Sequence, residues 1–236
     1  MIKFQNVTKI YPADTIALDD VSFEIKEKEL VSIAGRSGAG KTTLLKLIFA
    51  EEEPTEGRVF FKDQDVHKIK KSHLPNLRRK IGVVFQDYKL LPSKTVSENV
   101  AYVLEVIGAI DEEISQRVPE VLGIVGLGDK ANNFPAQLSQ GERQRATIAR
   151  ALIHRPDVIL ADEPTGNLDP YNASEIIQLL LKINELGTTI ILATHNKEMI
   201  NSLEKRVITL ENGRIIRDEE KGRISTDLML FCPLRN

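Results

Sequence analysis

The sequence predicts an α/β protein: a parallel sheet covered by helices on both faces, fronted by an antiparallel sheet and interrupted by a helical insert. Three observations lead there. Strands and helices alternate from Ser139 onward, short alternating strands fill the first 60 residues, and strand signals fade between about Pro92 and Pro135.

Each element has a local reason. Val21, Phe23 and Ile25 alternate with polar neighbours, and Val59 to Phe61 follows a turn at Gly57, which gives antiparallel strands near the N-terminus. Glu29 to Ala34 is a mostly apolar strand that runs into the glycine-rich Gly35 to Gly40. After it, Leu44, Leu45 and Ile48 fall at helical spacing within Lys41 to Ala50. The insert reads as two helices, one beginning near Thr95 and one near Asp111. Beyond it come a helix from Ser139 to His154, a strand Val158 to Ala161, a helix from about Ala173 to Leu186 and a strand Thr189 to Ala193. Val207 to Leu210, Asn212-Gly213 and Arg214 to Ile216 form a hairpin pattern, because Asn-Gly accepts the positive φ of a type I′ turn.

Composition sets the class. The chain has 236 residues, enough for one large domain or two small ones, and its 42% apolar and 28% charged residues are those of a folded protein. Thirty-four acidic against 32 basic side chains leave a net charge of −2, too little positive field to gather nucleic acid, and no nucleic-acid partner is expected. The one cysteine, Cys232, has no partner in the chain, which fits a reducing cytoplasm. The opening MIKFQNVTKIYP lacks a signal-peptide core, and no run approaches the ~18 apolar residues that span a bilayer. Attachment to a membrane is therefore expected to come through another protein.

Gly35-Arg36-Ser37-Gly38-Ala39-Gly40-Lys41-Thr42 matches the pattern of a phosphate cradle, and it stands between a strand and a helix. The glycines let backbone N–H groups point inward at a β-phosphate, and the helix start adds its positive dipole end. Lys41 is expected to reach the β- and γ-phosphates and Thr42 to bind Mg²⁺, with Thr43 beside it in a packing or outer-layer place. Downstream, Val158 to Ala161 ends in Asp162-Glu163-Pro164, two acids at the carboxyl end of a sheet strand, where such folds bind ligands. Two acids often do no more than cap a strand. With the phosphate loop upstream, Asp162 reads as a Mg²⁺ ligand and Glu163 as the group that activates water against the γ-phosphate. Leu138-Ser139-Gln140-Gly141-Glu142 opens a helix, and Ser139 with Glu142 makes an S-x-x-E capping box, a common helix start when taken alone.

Tyr11, the phosphate loop, Gln86 after an apolar strand, Leu138 to Glu142, Asp162-Glu163, Asn167-Leu168-Asp169 and Thr194-His195 occur in the order and spacing of an ATP-binding-cassette ATPase. The chain resembles that family over about residues 1 to 220. The resemblance implies a P-loop NTPase nucleotide-binding domain with an N-terminal antiparallel β-subdomain, an α-helical subdomain over about residues 92–150, and a C-terminal tail over 221–236. It also implies a head-to-tail homodimer holding two ATP molecules, each between the loop Gly35 to Thr42 of one chain and Ser139, Gln140 and Gly141 of the other. By the same resemblance Tyr11 stacks on adenine, Gln86 senses Mg²⁺ and the membrane partner, Asp169 crosses the dimer seam and His195 contacts the γ-phosphate. Taken singly, Tyr11 could equally pack on the sheet, and His195 could be a satisfied histidine at a strand end. His67, His73 and His154 carry no such context. The family usually has glycine at the position of Gln140 and glutamine at that of Glu142, so dimer strength and turnover are open here.

Arg78 through Pro92, with Thr95-Val96 and Glu98-Asn99-Val100, resembles the cell-division branch of the cassettes. That implies an FtsX-like membrane subunit whose outer domain activates peptidoglycan hydrolases, with the ATPase at the inner face of the cell membrane. ATPases of lipoprotein-release and macrolide-export systems share Glu163-Pro164-Thr165-Gly166-Asn167-Leu168-Asp169, so this stretch does not separate the two groups. A nucleotide-gated scaffold with little hydrolysis is the reading from another class, and the presence of Glu163 speaks against it. A soluble cassette acting on ribosomes or DNA needs a second cassette or a long coiled-coil insertion, which 236 residues do not hold. The basic run Lys68, Lys70, Lys71, Arg78, Arg79 and Lys80 reads as a solvated face, with anionic lipid headgroups as the alternative.

Overall fold

A computed structural model describes residues 1–222; the tail segment Leu228 to Phe231 and Cys232 lie outside the described residues. In chain order the elements are β1 (Ile2–Tyr11), β2 (Thr15–Ile25), β3 (Leu30–Ala34), α1 (Lys41–Ile48), β4 (Glu56–Phe61), β5 (Gln64–Asp65), α2 (Leu74–Arg78) and β6 (Ile81–Val84). They continue with α3 (Val96–Ile107), α4 (Asp111–Ile124), α5 (Gln140–Leu152), β7 (Val158–Asp162), α6 (Pro170–Glu185), β8 (Thr189–Thr194), α7 (Lys197–Leu203), β9 (Arg206–Glu211) and β10 (Arg214–Glu219).

The strands form two sheets. One is antiparallel, in the order β2-β1-β4-β5; the other runs β10-β9-β3-β8-β7-β6. In the second, β9, β3, β8, β7 and β6 are parallel and only β10 returns antiparallel, through the expected turn in which Asn212 and Gly213 both have positive φ. Strands β3 and β8 are buried along their whole length, as strands covered on both faces must be, and their residues are accordingly almost all apolar.

Helix α1 lies between the sheets. Its apolar residues Leu44, Leu45, Leu47 and Ile48 are all buried, and they share one core with Phe4, Phe23 and Val59 of the antiparallel sheet and with Leu160 and Ile191 of the parallel one. The second core lies on the other face, where α3, α4 and α5 pack on one another and on β6 and α6 through Val100, Leu104, Leu122, Ile148 and Ile176. The insert is thus helical, as the sequence indicates. Two of its helix starts are complete capping boxes: Thr95 with Glu98 at α3, and Ser139 with Glu142 at α5.

Three boundaries differ from expectation: Gly57 lies inside β4 rather than in a turn before it, β10 runs three residues past Ile216 to Glu219, and α6 starts early. Helix α6 begins three residues before Ala173, because Asp169 accepts hydrogen bonds from the N–H groups of Tyr171 and Asn172 and Pro170 occupies the first helical position, where no donor is lost.

Burial of α1 predicts a specific cost. Leu47 has no exposure, so Leu47→Ala should lower unfolding free energy by about 2–5 kcal/mol, read as a reduced urea midpoint at unchanged m-value.

Candidate functional site

The phosphate loop is the bend between β3 and α1. Gly40 caps α1 with φ 104°, and a Cβ there would meet the Ala17 carbonyl oxygen at 2.3 Å, so only glycine fits. No side chain caps this helix start and no acid stands in its first turn, which leaves its leading N–H groups available to an anion. Lys41 is buried, and its ammonium donates to the carbonyls of Gly35 (2.9 Å) and Arg36 (3.1 Å) while lying 3.4 Å from Glu163 Oε1. The cation is therefore pinned over the cradle by partners that a triphosphate would displace.

Strand β7 ends where the sequence places the acids. The Thr42 hydroxyl donates to Asp162 Oδ2 at 2.8 Å, and Asp162 Oδ1 is buried without a partner. Burial pushes the Asp162 carboxyl up, and the adjacent Glu163 adds to the rise against the Thr42 hydrogen bond. A half-buried carboxylate with an orphaned oxygen beside a hydroxyl is a fitting donor set for Mg²⁺, which takes few protein ligands and completes its shell with phosphate and water. Among the described residues no group of three or more His, Cys, Asp or Glu is arranged to hold a metal ion.

Glu163 takes the left-handed conformation (φ 47°), its N–H bonded to the Ala193 carbonyl at 2.8 Å. The bend aims its carboxylate across the cleft. Oε1 lies 2.8 Å from His195 Nδ1, and Oε2 accepts from the Thr194 hydroxyl at 3.1 Å. One acid thus joins the lysine of the loop to the histidine after β8.

These groups line a cleft of about 480 Å³ with Tyr11, Ser37, Gly38, Gly40, Thr43 and Gln86. Tyr11 sits at its rim with Lys9 Nζ 4.9 Å from the ring centre, and Ile16, 54% exposed, stands nearby. Gly35 and Arg36 serve through their carbonyls, and Ala39 closes the loop by donating to Arg36 O. Gln86 also borders a second cleft, of about 330 Å³, together with Thr42 and Asp162.

Ser139, Gln140, Gly141 and Asp169 do not line the cleft of their own chain. Ser139 and Gln140 are exposed at the start of α5, and the Ser139 oxygen accepts from Glu142 N–H, which leaves its hydroxyl proton to give. The Ser139 N–H holds the Glu142 carboxyl below its usual range. Gly141 is buried, and a Cβ there would meet Asn172 Oδ1 at 2.3 Å. Asn172 in turn donates to Asp169 Oδ2 at 2.5 Å, the main reason the Asp169 carboxyl is held low. Asn172 therefore ties the α5 start to the α6 start, a contact between two helices that no local pattern signals. Ile16, with Thr15 and Ala17, reaches the cleft only through the pairing of β1 with β2, equally invisible in the sequence. His67, His73 and His154 lie away from the cleft.

A loop cradle, a hydroxyl–carboxylate pair and a histidine-held acid, all at the carboxyl end of a parallel sheet, define a nucleoside-triphosphate hydrolase of the P-loop class. Residues 18–166 match the ABC transporter family, and the chain belongs to it: it is an ATP-binding-cassette ATPase. It is 52% identical over 94% of its length to the cell division ATP-binding protein FtsE of Bacillus subtilis, covering 97% of that protein, and 45% identical over 91% to that of Escherichia coli, again covering 97%. A dimeric structure of the cassette MJ0796 bound to ADP and Pi superposes with a TM-score of 0.85 at 40% identity, over 95% of this chain and all of that one.

The half-buried Asp162 yields a signed expectation. Its pKa is raised in the folded protein, so ionisation in the fold is destabilising at neutral pH and the penalty disappears as pH falls toward the ordinary value of 3.8. Asp162→Asn should raise the melting temperature of nucleotide-free protein at pH 7.5, converge on wild type near pH 4, and lose the extra stabilisation that Mg²⁺ adds to ATP, all measurable by scanning calorimetry.

Proposed function

We propose that two copies of this chain close on two ATP molecules and that the closure drives an FtsX-like membrane subunit in cell division, activating peptidoglycan hydrolases on the far side of the membrane. The observation that carries this reading is the division of the site. Lys41, Thr42, Asp162, Glu163 and His195 converge on one cleft, while Ser139 to Gly141 and Asp169 do not line it. The exposed Ser139 hydroxyl and the start of α5 are a second phosphate-binding half, useful to a neighbouring copy rather than to their own. The dimeric neighbour structure and the FtsE relatives support the same arrangement.

Residues 1–220 form the cassette in this reading, with about 92–150 as its helical subdomain. No helix of the described residues is long and apolar enough to cross a membrane, and the cassette is held at the inner face by its partner. Tyr11 supports the adenine ring. The loop amides and Lys41 hold the β- and γ-phosphates, with Thr42, Asp162 and Gln86 as the residues that would hold Mg²⁺. The ion, when bound, neutralises developing phosphate charge. Glu163 orients the attacking water and takes its proton as the bond from the γ-phosphorus to the ADP oxygen breaks, and His195 keeps that carboxylate aimed. Hydrolysis removes the shared phosphate contacts and reopens the dimer, so chemistry resets the partner.

Glu163→Gln should keep ATP affinity, stop turnover and accumulate an ATP-bound dimer in sedimentation velocity. A monomer at saturating ATP and Mg²⁺ defeats the proposal. Lys41→Ala should remove ATP binding by calorimetry, and unchanged affinity contradicts the cradle assignment. Copurification from membranes with the candidate permease separates a division motor from an exporter.

A further inference from the structure

Residues 85–95 connect the end of β6 to the start of α3, with Gln86 near the beginning of the segment. In the middle of this segment Tyr88 and Lys89 are both left-handed, with φ of 58° and 50°. Neither residue type adopts that conformation readily, so the surroundings must hold it. The holders come from α5. The Arg150 guanidinium donates to the Tyr88 carbonyl at 2.8 Å and to the Lys89 carbonyl, and the Thr147 hydroxyl lies 3.3 Å from the same Tyr88 oxygen. Among the described residues no carboxylate pairs with Arg150; its charge is directed at these two carbonyls. The far end of the segment is fixed by the buried Asn99, which accepts from Leu91 N–H at 2.7 Å and donates to Leu91 O at 3.1 Å. At the near end the Gln86 carbonyl accepts from Asn167 at 3.3 Å.

Helix α5 therefore has two working ends. Its start carries Ser139 to Gly141, and about three turns later it carries Thr147 and Arg150. Its middle is bridged to α6 by Arg145 and Glu175 at 2.7 Å, a further contact along the helix.

We propose that Arg150 is a positioning residue for Gln86: its forked contact with residues 88–89 makes the placement of Gln86 follow the position of α5. A displacement of the α5 start by a second copy's nucleotide is transmitted along the rigid helix to the guanidinium, and the two strained carbonyls move with it. A planar fork can hold two carbonyls at once in fixed geometry, which a lysine ammonium on a flexible stem does not reproduce. This deepens the function proposed above and rests on Gln86 acting at the nucleotide.

The test is steady-state ATPase kinetics of full-length Arg150→Lys, Gln86→Ala and the double variant, with ATP affinity by calorimetry. Arg150→Lys should leave ATP affinity unchanged and lower kcat by about tenfold to a hundredfold, the size of loss that follows small misplacement of an active-site group. The double variant should be no slower than Gln86→Ala alone. Adding Lys89→Gly to Arg150→Lys should recover part of kcat, since glycine takes the left-handed conformation without help. Multiplicative losses in the double variant, or loss of ATP affinity in step with kcat, overturn the proposal. Full turnover by Gln86→Ala overturns the role of Gln86 itself, and the proposal with it. Should Arg150→Lys not fold, Thr147→Val carries the same non-additivity test with a smaller loss.

Discussion

Eight residues of α1 lie between two sheets that would otherwise pack on each other, and the burial of Leu44, Leu47 and Ile48 against both leaves this helix no freedom to shift. Everything at the site is referred to it. The start of α1 sets the loop amides, Lys41 and Thr42. The strands packed against it, β7 and β8, end at Asp162, which accepts from the Thr42 hydroxyl, and at Thr194, which donates to Glu163. Apolar contact of this kind is dense and weakly deformable, so catalytic distances near 3 Å are held by a core rather than by loops. The antiparallel sheet is needed for the same reason: it supplies the outer wall, and it brings Tyr11 and Ile16 to the cleft rim.

The helical side obeys a different logic. Helices α3, α4 and α5 form their core with one another as well as with the sheet, and the start of α5 presents exposed polar groups that do not line the cleft. Contact through Asn172 joins that start to Asp169 at the head of α6. Two segments distant in sequence, neither lining the cleft of its own chain, thus meet at one amide side chain. A glycine at 141 is required by this internal contact before any phosphate is considered, which explains why Gln140 can depart from the family pattern while Gly141 does not: residue 140 is exposed, and residue 141 is buried against Asn172.

Much of this was legible in the sequence because it is local. The phosphate loop, the apolar β7 running into Asp162-Glu163, the capping box at Ser139 and the Asn212-Gly213 turn each depend on residues within a few positions of one another. The apolar spacing puts the head of α6 near Ala173, whereas the start signal that matters is the Asp169 side chain accepting from the N–H groups of Tyr171 and Asn172. What could not be read is the set of contacts made across layers: Arg150 on Tyr88 and Lys89, Asn172 on Gly141, and Ile16 at the cleft. These residues have ordinary identities for a helix or a strand, and only the packing of one element against another gives them work.

Backbone strain marks the same places. Several left-handed residues, such as Ala13, Asp14 and Asn212, sit in turns between antiparallel strands, where such conformations are needed to reverse the chain. Glu163, Tyr88 and Lys89 are different, since each follows a parallel strand and no hairpin demands the bend. Such positions cost of order 1–3 kcal/mol each and persist only where neighbours over-determine them. At Glu163 the neighbours are Ala193, Thr194, Lys41 and His195; at 88–89 they are Arg150 and Thr147. In both cases the restraining groups come from other elements of the fold: the loop lysine and the end of β8 in one, α5 in the other. A change in those elements alters the restraint directly. The two bends are thus held by groups from outside their own segments, while the phosphate cradle is held by the buried wedge of α1.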